Sequence, residues 1–137
     1  MRTVIVVVVL TILCALTSSA QVLIIANKSV ADGSVSSDAV KEIYSLVKKQ
    51  WSDGSPIVAL DLKSGGSREA FYRYIGYSDI ELKKTWLREQ LSGRGKAPEA
   101  FASEEEIVAK VASTPGAIGY VSEGKATGGV KVIARAN

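Results

Sequence analysis

The chain has 137 residues, 47% of them hydrophobic and 23% charged, so it is long enough for one domain with a buried core and is not a disordered or collagen-like chain. It contains no histidine and a single cysteine, Cys14, which argues against Ser-His-Asp catalysis, most zinc sites and a disulfide framework. The formal net charge is +3, and +2 without residues 1–20 (16 basic against 14 acidic residues), which is too mild to imply nucleic-acid binding.

Met1-Arg2 gives a short positive start, and a nearly unbroken apolar run follows to Leu16. That run is short for a transmembrane helix, which needs about 20 residues. Small residues at Ser18 and Ala20 fit a small-x-small cleavage rule, so residues 1–20 read as a secretory signal peptide with Gln21 as the new first residue. Cleavage removes Cys14 and leaves 16 basic against 14 acidic residues, with no membrane span. A cysteine-free exported protein suits a periplasm or the exterior.

Residues 21–137 then form the working domain. Val22 to Ala26 reads as a buried strand bounded by Asn27. Ser37 is expected to cap a helix whose apolar face is Val40, Ile43, Tyr44 and Val47. Ser52 to Pro56 is turn chemistry, and Ile57 to Leu60 is a second buried strand closing on Asp61. After the small-residue loop Lys63 to Ser67, the spacing predicts a helix over Arg68 to Tyr74, with Ser67 as its cap and Gly76 as its breaker. Ser78 and Glu81 form a capping box for a further helix with Ile80, Leu82, Trp86 and Leu87 as apolar positions, ended by Gly93 and Gly95. Ser103 and Glu106 form another box, before Ile107, Val108 and Val111. Thr114-Pro115-Gly116 stops that helix, Ala117 to Val121 is a third strand, and residues 130–135 alternate as a last one. The order β-α-β-α-α-α-β-β predicts a three-layer α/β domain with a mostly parallel sheet.

Asp61 to Phe71 (DLKSGGSREAF) carries the most chemistry. A buried strand ends, small residues follow and a helix begins, which is where ligands bind open α/β sheets. Glycines allow close approach to the backbone, and a helix start offers unpaired N–H groups and a positive dipole end to an oxyanion. Ser64 and Ser67 add hydroxyls, and Arg68 adds a cation able to pair with two oxygens. A turn and a cap with Arg68 in solvent is the plainer alternative. The loop is neither a Walker motif nor a dinucleotide fingerprint.

Four segments resemble one lobe of the phosphate-binding proteins that serve ABC importers, the type 2 periplasmic binding fold. Leu23 to Asn27 is similar to that family's hydrophobic strand ending in Asn, and Ala39 to Ile57 to its stretch around W-x-D-G. Gly65-Gly-Ser-Arg-Glu-Ala-Phe71 sits where the family has Ser-Gly-Thr-x-x-x-Phe, and Thr114 to Val121 reads TPGAIGYV, as the family does. The resemblance implies an α/β/α single lobe that holds phosphate or a similar oxyanion through Ser64, Gly65, Gly66, Ser67 and Arg68. It also implies an ABC permease, a second copy or another envelope protein to complete the cleft. Gly65 replaces the family's Ser, and Leu62-Lys63 stand where an Arg-x-Asp usually precedes the loop.

Trp51 and Trp86 read as packing residues, Tyr120 as core or rim, and Glu104 to Glu106 as complements of a helix start. No catalytic set, metal site or cofactor motif emerges. Two classes therefore stand: an exported oxyanion-binding module associated with phosphate uptake, and an envelope interaction domain that keeps the fold without a ligand.

Overall fold

The structure is a computed structural model that describes residues 21–136. The expected signal peptide lies outside the described residues. The elements are β1 (Val22–Asn27), α1 (Ser37–Tyr44), β2 (Val58–Leu62), α2 (Gly66–Ile75), α3 (Asp79–Leu91), β3 (Glu99–Phe101), α4 (Glu104–Ser113), β4 (Ala117–Ser122) and β5 (Val130–Ala136). They build three layers. Helix α4 covers one face of the sheet, where Ile107 and Val111 close on Gly119. The other face carries α2 and α1, whose Phe71 and Tyr44 pack on Tyr120, and α3 is tied to α1 by the Trp86 indole N–H donating to the Tyr44 carbonyl at 2.7 Å. β1 is buried at all six positions, as expected of a strand covered on both faces.

The sheet order is β3-β2-β4-β1-β5. β2 runs parallel to β3 and β4, but β1 runs antiparallel to both β4 and β5. The sheet is therefore mixed rather than mostly parallel. The alternation of strands and helices predicts parallel neighbours, yet β4 sits between β1 and β2, so their chain order does not fix their relative direction.

Several local expectations also change. Ser36 rather than Ser37 caps α1, accepting from the Ala39 N–H at 3.1 Å. The helix ends at Tyr44, Leu46 turns the chain with φ 64°, and Val47 is left 73% exposed instead of extending the apolar face. On α3 only Leu82 and Trp86 face inward; Ile80 and Leu87 are exposed. In β5 a register shift opposite Ile24 and Ile25 places Ile133 in the core and turns Val132 outward, because a bulge breaks the two-residue alternation. The short β3 was not foreseen; three residues carry too little pattern.

The capping box at Ser78 and Glu81 forms as expected. At α4 only half of the expected box forms. Ser103 accepts from the Glu106 N–H, while the Glu106 carboxylate turns back to the Ala102 N–H instead.

Candidate functional site

β2 delivers the chain to the loop at Leu62, and α2 begins only four residues later. Gly65 is the N-cap, with φ 109° and ψ 172°, a conformation open to glycine alone among the common residues. Helix α2 thus starts at Gly66, and Ser67 is not its cap; no side chain caps it. The first backbone bond of the helix runs from the Glu69 N–H to the Gly65 carbonyl at 3.2 Å. The N–H groups of Gly66, Ser67 and Arg68 belong to the first turn, which has no intrahelical acceptors. A Cβ added at Gly65 or Gly66 would meet nothing within 4 Å, so the space above this turn is open.

That space is a cavity of about 200 Å³ lined by Leu62, the stretch Ser64 to Ser67, Ala102 and Glu104. Four of the five residues singled out in the sequence line it. Arg68 does not. Its guanidinium pairs with Asp79, donates to the Tyr72 hydroxyl at 3.0 Å and lies 4.2 Å from the centre of the Tyr72 ring. Among the described residues no lysine or arginine lines the cavity.

Glu104 is the residue that sequence reasoning missed. Its carboxylate accepts from the Ser67 hydroxyl, from the Ser122 N–H at 2.9 Å and from the Ser122 hydroxyl at 2.7 Å. Burial pushes its pKa up, but the hydrogen bonds from Ser67 and Ser122 outweigh that and hold it below the usual glutamate value. Glu104 therefore faces the cavity as a carboxylate. Its place among three consecutive glutamates at a helix start hid this role, since each of them complements the helix dipole equally well.

Beneath the loop, Asp61 is 3% exposed and serves the structure. It accepts from the hydroxyls of Tyr120 and of Tyr72, the latter at 2.5 Å, and from the Leu62 N–H at 2.9 Å. Burial first, and then the adjacent Asp61 carboxylate, raise both tyrosine pKa values, so both phenols stay protonated donors at neutral pH. Tyr120 is fully buried and stacks on Phe71 with ring centres 3.9 Å apart. It belongs to the core. Trp51 and Trp86 are packing residues too; the Trp51 indole donates to the Gly116 carbonyl at 2.9 Å.

Among the described residues no group of three or more Asp, Glu, His or Cys side chains is placed to hold a metal ion, and no helix is long and apolar enough to cross a membrane. What the loop offers is a neutral cradle of backbone donors and hydroxyls with one carboxylate on its wall.

The sequence profile described as a PBP superfamily domain matches residues 18–132. No curated protein is significantly similar to the chain. Among solved structures, a protein of Clostridium perfringens assigned to phosphate ABC transport, determined with bound phosphate, superposes with a TM-score of 0.69 at 21% identity, covering 83% of this chain and 45% of its own. An ABC-type phosphate transport receptor from Vibrio cholerae gives 0.65 at 19% identity, covering 83% and 46%. PstS from Borrelia burgdorferi gives 0.61 at 15% identity, covering 84% and 47%. The chain spans about half the length of these relatives. At such identities the likeness is one of fold: a single three-layer lobe of the type 2 periplasmic binding kind.

Proposed function

The chain belongs to the PBP superfamily domain family, and from that premise we propose that it is an exported module that binds phosphate or a similar tetrahedral oxyanion on the loop Ser64 to Ser67. The family is a solute-binding, non-catalytic one. The observation that carries the proposal is the first turn of α2: three N–H groups without helical acceptors, beside two glycines with open space above them. Such a turn binds oxyanions through oriented N–H dipoles, without needing a cation. In this reading the Ser67 hydroxyl leaves Glu104 for the guest, and Ser64 adds its own. Glu104 repels a full dianion and favours a guest that still carries a proton to donate. Arg68 is held in reserve by Asp79.

A lone lobe leaves one side of the guest in water, where each contact contributes little. The proposal therefore includes a covering body: an ABC permease, a second copy or another envelope protein, in the context of phosphate uptake. Export rests on residues 1–20 as a cleaved signal peptide, which amino-terminal sequencing of the exported protein checks by finding Gln21 first.

One observation favours the second reading, an envelope interaction domain without a ligand. The Ser67 hydroxyl and the Arg68 guanidinium both already have carboxylate partners within the chain. Calorimetry with phosphate, sulfate and molybdate decides between the two. The oxyanion reading expects saturable heat that weakens in Gly66→Pro, because proline fits the first helical position but removes one of the three donors. Silence with all three anions at millimolar concentration leaves only the interaction domain.

A further inference from the structure

The start of β2 carries a second and larger cavity, of about 470 Å³, at the opposite end of the strand from the loop just described. Its floor is apolar: Ile43, Leu46, Ile57, Val58 and Ala59. Two features of the chain build it. β3 pairs with β2 only from Leu60 to Leu62, and Pro98 stands directly before it. Proline has no N–H to extend the ladder backward, so Val58 and Ala59 have no strand neighbour on that side. On the other wall, Leu46 adopts φ 64°, a left-handed conformation unusual for a residue with a branched side chain. This turn lays Leu46 against Gly95, where an added Cβ would sit 3.2 Å from the Leu46 Cδ1. The Lys49 ammonium donates to the Arg94 carbonyl and ties the same two walls together.

The charge of the rim is one-sided. Lys48, Lys49 and Lys96 line the cavity, and among the described residues Glu99 is the only acid that does. Neither Lys48 nor Lys96 takes part in an ion pair among the described residues. An apolar floor under unpaired ammonium groups suits a guest with an apolar body and one negative head. Free phosphate would leave the floor wet, and an apolar amine would meet like charge.

We propose that this cavity binds a small apolar monocarboxylate, its body on Leu46, Val58 and Ala59 and its carboxylate between Lys48 and Lys96. The proposal is independent of the oxyanion reading at α2, and phosphate should not compete for the site. The test is a titration of the isotope-labelled protein with sodium octanoate, followed by amide chemical shifts, with 1-octanol and octylamine as the neutral and cationic counterparts. Saturable shifts centred on Leu46, Val58 and Gly95 are expected, unchanged by excess phosphate. Octanol, octylamine and the double variant Lys48→Glu/Lys96→Glu should each bind about tenfold more weakly or worse. Lys96 is exposed and Lys48 partly so, and an unshifted melting temperature verifies that the double variant folds. A flat titration, shifts centred elsewhere such as the exposed Ile80 and Leu91 side of α3, or equal affinity in the double variant overturns the proposal.

Discussion

Gly65 and Gly66 stand at the open end of β2, whereas Gly116 and Gly119 stand in the segment that leads into β4 and runs along it. A Cβ at either of the first pair would meet nothing within 4 Å. At Gly116 it would lie 2.3 Å from the Pro56 carbonyl oxygen, and at Gly119 it would lie 2.8 Å from the Ile107 Cγ2. Both regions carry the family resemblance, and both do so through glycine, but the physical demand differs. In the second region the missing side chain lets the molecule's own backbone and α4 close in. In the first the room stays empty, as a site for a guest requires. The two are joined through Asp61, which lies below the loop and accepts the hydroxyl of Tyr120, the neighbour of Gly119.

The comparison breaks most readily at Gly116. Its φ of 79° already excludes most side chains, and the contact with Pro56 is to rigid backbone. Gly116→Ala should cost about 3 kcal/mol or more in urea unfolding, with no direct effect on the loop. Next comes the tie between the regions. Asp61→Ala leaves two buried tyrosine O–H groups without an acceptor, although Arg68 and the Leu62 N–H still donate to their oxygens, and a loss of about 2–4 kcal/mol is expected from denaturant melts, partly offset by removing a buried charge.

The loop glycines sharpen the contrast. Gly65→Ala meets only conformational strain and should cost about 1–2 kcal/mol. Gly66→Ala should change stability by less than about 0.5 kcal/mol, because the position is helical and unobstructed. Anion affinity measured by calorimetry should nevertheless fall in Gly66→Ala, since the new methyl occupies the guest's space. A packing role for Gly66 predicts the reverse pattern.

The smallest effect is a pH slope. The folded pKa of Glu104 is lowered, so its stabilisation is present above the unfolded pKa and is lost as pH falls through the folded value. Melting temperatures followed between about pH 6 and pH 3 should drop more steeply in the parent than in Glu104→Gln. Identical slopes would remove Glu104 from the set of ionised groups that the fold favours.

The order of the main elements, the packing roles of Trp51, Trp86 and Tyr120, and the open glycine turn after β2 were all legible in the residues themselves. Helix periodicity and glycine-proline punctuation act within a turn or two of chain, so a linear reading places the helices and the Ser78–Glu81 box, while the caps of α1 and α2 and the apolar positions Val47, Ile80 and Leu87 fall to the packing. Tertiary structure alone decided that β1 runs antiparallel to its neighbours, that a bulge buries Ile133, and that α3 leaves Ile80 and Leu87 outside. It also decided the character of the loop. Glu104 reaches Ser67 across 37 positions, and Arg68 turns to Asp79 instead of to the cavity. Such pairings depend on which faces meet once the layers close, and no local pattern records that choice.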